Sequence, residues 1–123
     1  MGSKGCILLV DDEELVLDVG IQMLKRIGYR VLEARNSFEA IEIYSNKMYE
    51  IDLIILDYNL PDENGAETLK KIKDINPDAK VILSTGYIET PEISELLNQG
   101  CRSRLQKPYT IANLSTEISG ALG

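Results

Sequence analysis

Short, nearly unbroken apolar runs alternate with amphipathic stretches along the whole chain, and this alternation constrains the fold more than any other feature. The runs are Cys6–Val10, Tyr29–Ala34, Ile51–Leu56, Lys80–Thr85 and Arg102–Gln106. Alternating strand and helix signals read as an α/β fold with a parallel sheet. The first helix begins near Glu13, with Val16, Val19, Met23 and Ile27 on its inward stripe, and Gly28 ends it. Asn36 with Glu39, and Asn64 with Glu67, are capping-box patterns that open two further helices, the second running to about Asp74. Ala40, Ile41 and Tyr44 would face inward on the first of these. Asn76-Pro77-Asp78 breaks the chain before the fourth strand. Thr90-Pro91 places a cap and a first-turn proline ahead of a helix ending at Gly100, and Ile111 to Leu122 supplies the last helix. The third run is almost continuously apolar, as a central strand covered on both faces should be. The fifth is the least apolar and reads as an edge. No linker, low-complexity tract or repeat beyond the βα unit interrupts the pattern.

Four of these runs end in residues able to handle a phosphoryl group. The first leads into Asp11-Asp12, the third into Asp57, the fourth into Ser84-Thr85 and the fifth into Lys107-Pro108. Open α/β sheets bind ligands outside the carboxyl ends of their strands. Neighbouring strands lie ~4.8 Å apart, so acids ending strands one and three can share an ion. Asp11, Asp12 and Asp57 crowded together call for a counter-charge. Mg²⁺, or Mn²⁺ in its place, fits best, since such a cation accepts one or two carboxylates and leaves room for phosphate oxygens. Asp11 and Asp12 could instead merely cap the first helix. Asp57 resists so plain an explanation, because an unpaired carboxylate at the end of a buried strand costs several kcal/mol. A carboxylate can also attack phosphorus, with Lys107 offsetting charge and the Thr85 hydroxyl donating to a phosphoryl oxygen. Taken singly, Lys107 would be a solvated lysine and Thr85 a strand-end residue.

Composition removes several function classes. The chain has 123 residues, enough for one domain with a real core and too few for two. It contains no histidine, which excludes Ser-His-Asp and Cys-His catalysis, most zinc sites and a phosphohistidine of its own. A net charge of −7 argues against direct nucleic-acid binding. No apolar run approaches a membrane span or a signal peptide, so the domain reads as cytoplasmic, without membrane contact. Cys6 and Cys101 show no metal-ligand spacing and read as structural or incidental.

The motifs Val10-Asp11-Asp12, Leu56-Asp57-Tyr-Asn-Leu60-Pro61 with Gly65, Ser84-Thr85-Gly86 and Lys107-Pro108-Tyr109 fall in order at four strand ends. Together they resemble the receiver domain of two-component response regulators, over essentially the whole chain. Thr85-Gly86-Tyr87 and Leu105-Gln106-Lys107-Pro108 are most similar to receivers of hybrid sensor histidine kinases. The resemblance implies a doubly wound, flavodoxin-like (βα)5 sheet of order 2-1-3-4-5. It implies a single receiver domain over 6–122, preceded by a leader or cloning remnant at 1–5. Asp57 would be the phosphoacceptor, Asp12 a direct Mg²⁺ ligand and Asp11 an acid acting largely through water. The backbone carbonyl of Asn59 would complete the metal site. Thr85 and Lys107 would contact the phosphoryl group, and Asn59 and Tyr87 would tune its lifetime. Lys107-Pro108 would be a cis peptide, aiming the lysine inward.

The implied partner is a sensor histidine kinase or histidine phosphotransfer domain, with an attached kinase or output domain as a further expectation. Phosphorylation would bias a two-state equilibrium in the fourth and fifth strand–helix region. In this role the chain is a regulatory phosphoacceptor that assists its own chemistry rather than an enzyme acting on others. One position departs from the family pattern. Arg104 stands three residues before Lys107, where an inward-swinging aromatic is usual, and it would stay solvated or pair with Glu89 or Glu92. The alternative is a phosphate-independent interaction module, for which Arg104 is the support. A nucleotide- or flavin-binding enzyme fails on Asp11-Asp12-Glu13-Glu14, an acidic loop where phosphate binding needs glycine or hydroxyls. A haloacid-dehalogenase-type phosphatase would need an acid where Asn59 stands.

Overall fold

Buried aliphatic residues of the first and third strands lie at the heart of the architecture. The computed structural model describes residues 4–86 and 91–123. It contains β1 (Cys6–Val10), α1 (Glu14–Ile27), β2 (Arg30–Ala34), α2 (Ser37–Lys47), β3 (Leu53–Asp57) and α3 (Gly65–Ile75), followed by β4 (Val81–Thr85), α4 (Pro91–Asn98), β5 (Cys101–Gln106) and α5 (Ile111–Leu122). The strands form one parallel sheet in the order β2-β1-β3-β4-β5. Every residue of β1, β3 and β4 is buried, which is why those strands read as continuous apolar runs. In β5 burial alternates, with Cys101 and Leu105 inside and Arg102 and Arg104 exposed, as suits an edge.

Side chains alternate across the sheet and build two apolar layers. Leu8, Val10, Ile54, Leu56 and Leu83 pack under α2, α3 and α4 through Ala40, Tyr44, Leu69, Ile72, Ile93 and Leu96. Ile7, Leu9, Leu53, Ile55 and Ile82 pack under α1 and α5 through Leu17, Leu24, Leu114 and Ile118.

Local signals fix most boundaries. Gly28 ends α1 at φ 122°, and its N–H reaches the carbonyls of Leu24 and Lys25. The Asn36 and Asn64 side chains accept from the backbone N–H groups of Glu39 and Glu67. Glu39 closes its box on Arg35 N at 2.8 Å, one residue before the cap. Asp78 N donates to Asn76 Oδ1 at 3.0 Å in the turn that breaks α3 from β4. The Thr90 cap lies outside the described residues. Two expectations shift. The third strand starts at Leu53 rather than Ile51, and the Asp52 carboxylate accepts the Cys6 N–H at 2.8 Å. On α1 the fully buried residues are Leu17, Gly20 and Leu24; Val16, Met23 and Ile27 pack partly buried against the same core as expected, while Val19 is 40% exposed. This helix carries more apolar residues than one face can hold, so packing selects among its stripes.

Candidate functional site

The sheet's hydrogen-bond ladder continues one residue beyond three strand ends, and this continuation mounts the site. Asp11 N donates to Ala34 O at 3.0 Å, Tyr58 N to Ser84 O at 3.0 Å and Lys107 N to Thr85 O at 2.9 Å. Asp57 lies beside Ser84 in the β3–β4 register. Asp11 and Asp57 are thereby presented from adjacent central strands, and Lys107 reaches over them from β5.

Asp11 is fully buried and Asp57 is 3% exposed, whereas Asp12 faces solvent. Each of the three offers a carboxylate oxygen within 4.8 Å of the others. The Lys107 Nζ lies 2.8 Å from Asp11 Oδ2 and 3.2 Å from Asp57 Oδ2. Its peptide to Pro108 is cis. Asp11 Oδ1 accepts from Glu13 N at 2.9 Å, and Asp57 Oδ1 from Asn59 N at 3.2 Å. The N-cap of α1 is Glu13, whose side chain makes no cap bond, so capping does not explain Asp12. Thr85 is buried at the end of β4. Asp57, Asn59, Gly86 and Lys107, with Glu13, Val16 and Pro108, line a cavity of about 350 Å³. Arg104 is exposed on β5 opposite Leu83. Tyr87 and Glu89 lie outside the described residues.

Burial pushes the Asp57 carboxyl up to about 6, and the Asp11 charge adds to the rise, against the pull of Lys107 and the Asn59 N–H. Burial works against the Lys107 charge, but its hydrogen bond to Asp11 and the charges of Asp57 and Asp11 hold it above the usual lysine range. One ammonium therefore leaves the three acids under-compensated. A hard divalent cation with oxygen ligands fits that deficit, and Asp11, Asp12 and Asp57 are placed so that they could hold one.

Sequence reading missed two features here. The Ser84 hydroxyl meets the Tyr109 hydroxyl at 2.6 Å in the core, and burial pushes that phenol up to about 12 despite the bond. A polar residue inside the fourth apolar run was the available signal. Beside the cavity, and sharing Val16 and Pro108 with it, an apolar hollow of about 190 Å³ is lined by Leu15, Val19 and Tyr109. Leu15 is 77% exposed.

The model of the response regulator receiver domain family matches residues 7–119 of this chain. The chain belongs to that family. A receiver domain from Clostridium thermocellum superposes with a TM-score of 0.91 at 32% identity, covering 96% of this chain and 94% of that one. The sensor kinase CckA of Brucella abortus (strain 2308) is 30% identical over 99% of this chain and only 13% of its own length. Sporulation initiation phosphotransferase F of Bacillus subtilis (strain 168) is 31% identical over 91% of this chain and 89% of its own. Receiver sequences like this one thus occur both inside long kinases and nearly alone. The receiver domain is a unit of two-component signalling. Among its described residues, no helix is long and apolar enough to cross a membrane.

Proposed function

We propose that this receiver domain is a phosphoacceptor switch, taking a phosphoryl group from a phosphohistidine of a partner kinase or phosphotransfer domain onto Asp57. The observation that carries the reading is the convergence of Asp11, Asp57 and Lys107 at 2.8 and 3.2 Å at the ends of three strands. An Asp57 carboxylate oxygen attacks phosphorus, the new P–O bond forms as the P–N bond breaks, and the imidazole nitrogen keeps the electron pair. Lys107 stays protonated and offsets charge on the phosphoryl oxygens, and the Thr85 hydroxyl donates to one of them. Bound Mg²⁺, held by Asp11, Asp12, Asp57 and the Asn59 carbonyl, would neutralise charge between the carboxylates and the incoming group. Asn59 and Tyr87 would set the lifetime of the acyl phosphate.

An apolar hollow next to the site would suit the donor. Leu15, Val19, Pro108 and Tyr109 would offer a greasy seat for a helix carrying the phosphohistidine, in a hollow that shares Val16 and Pro108 with the Asp57 cavity. Acyl phosphate at Asp57 would then shift the α4–β5 face, on which Arg104 lies exposed. The test is incubation with Mg²⁺ and acetyl phosphate, followed by intact mass, beside Asp57→Asn. A single base-labile phosphoryl adduct, on wild type only and only with the metal, is the expected result. Absence of an adduct despite demonstrable Mg²⁺ binding would replace this reading with a phosphate-independent interaction module.

A further inference from the structure

The loop 58–64, which carries Asn59 away from Asp57, is tied down at both its base and its tip. At the base Gly65 N donates to Tyr58 O at 2.7 Å, and Asn59 bridges Asn64. A Cβ on Gly65 would lie 3.0 Å from Tyr58 Cα, so the two backbones touch there. At the tip the Asp62 carboxylate receives two N–H groups from the first turn of α2, Ser37 at 2.9 Å and Phe38 at 3.0 Å. Helix starts leave such donors unpaired, and a carboxylate is the favoured partner.

Glu63 adds a second tie of a different kind. The Thr68 hydroxyl lies 2.9 Å from Ser37 Oγ, the Ser37 hydroxyl donates to Glu63 Oε1, and Lys71 Nζ lies 2.9 Å from Glu63 Oε2. Ser37 is 2% exposed and Thr68 is fully buried, so both hydroxyls need partners inside the protein: Ser37 has Glu63, and Thr68 also lies 3.1 Å from the Asn64 carbonyl and 3.3 Å from Glu63 Oε1. Hydrogen bonding to Ser37, then to Lys71, holds the Glu63 carboxyl below its usual range. The relay joins the loop, α2 and α3 in a region remote in sequence from Lys107.

We propose that Glu63 is a positioning residue: through Ser37 and Thr68 it pre-orders the 58–64 loop so that the Asn59 carbonyl stands ready beside Asp57 for a divalent cation. The proposal rests on the metal-binding part of the preceding reading. Mg²⁺ demands near-ideal octahedral geometry, so a carbonyl supplied by a loose loop binds it poorly. Groups that orient metal ligands from behind cost about tenfold or more in affinity when removed.

The experiment is Mg²⁺ titration of the metal-free protein by calorimetry, with the Asn59 amide followed by NMR. Glu63→Met is expected to weaken Mg²⁺ binding about tenfold, and Ser37→Ala to weaken it in the same direction. Glu63→Gln, which keeps an acceptor for Ser37, restores most of the loss. Gly28→Ala strains the end of α1 at φ 122° without touching the loop or α2, so it lowers the melting temperature and leaves Mg²⁺ affinity unchanged. Wild-type affinity in both Glu63→Met and Ser37→Ala would overturn the proposal, and so would an equal loss in Gly28→Ala. Failure of the wild type itself to bind Mg²⁺ would instead sink the metal reading on which the proposal stands.

Discussion

Strands β3 and β5 both deliver a residue to the same site, yet they are built on opposite terms. All five residues of β3 are buried, ending in an Asp57 that is 3% exposed. β5 buries two of its six and exposes Arg102, Arg104 and Gln106 before Lys107. A carboxylate gains its unusual proton affinity from burial, so it has to sit on a strand that water does not reach. A lysine has a long stem and can reach in from an edge, its side chain 13% exposed while its ammonium contacts two acids. The charged residues of β5 also discourage pairing of the open edge with another sheet. The central strands fix where the acids stand, and the edge supplies the cation from a less constrained element.

The sharpest way to break this contrast is to hollow out each strand in turn. Leu56→Ala should cost about 4 kcal/mol in urea unfolding and Leu105→Ala about 2 kcal/mol, in the upper and lower parts of the range for buried leucines. Equal costs would mean that the edge is held as tightly as the centre.

The next effect in size is electrostatic and has a definite sign. The folded-state carboxyl of Asp57 is raised to about 6. The native protein therefore holds this proton more tightly than the unfolded chain, and stability falls as pH rises from about 4 to 6. In metal-free buffer Asp57→Asn should be more stable than wild type at pH 7 by up to about 3 kcal/mol, a difference that fades towards pH 4. Chemical denaturation at several pH values reads it directly. Millimolar Mg²⁺ should narrow the gap by stabilising wild type alone.

Tyr109→Phe comes third. Removing the hydroxyl that meets Ser84 at 2.6 Å should cost about 1 kcal/mol. Combining it with Ser84→Ala should cost less than the two single changes summed. Arg104→Ala, on the exposed side of the edge strand, should change stability by less than about 0.5 kcal/mol, measured in the same denaturation series. A larger loss would show that Arg104 is part of the frame.

How much of this was legible depends on the range of the interaction. Period and cap signals are local, and they locate all ten elements among the described residues to within a residue or two. The convergence of Asp11, Asp57 and Lys107 was legible because strand ends in a parallel sheet meet by topology, with no contact information needed. Pairings between loops or between helix faces are not local. Ser84 and Tyr109 are separated by 25 residues, and Ser37 and Glu63 by 26. No periodicity announces either pair. Nor could α1 reveal its seated stripe, because Leu15, Val16, Leu17 and Val19 offer the sheet more than one apolar face.

The extension of the ladder past the strand ends has a consequence for amide hydrogen exchange. Asp11, Tyr58 and Lys107 are the first residues of loops, positions that ordinarily exchange early. Their N–H groups are bonded to carbonyls of the neighbouring strands, so they should exchange only when those strands separate. Tyr58 hangs from Ser84 between β3 and β4, and Lys107 from Thr85 at the edge. The slowest amide of the site should therefore be the one immediately after Asp57, where the loop begins as an extension of the sheet's most protected part.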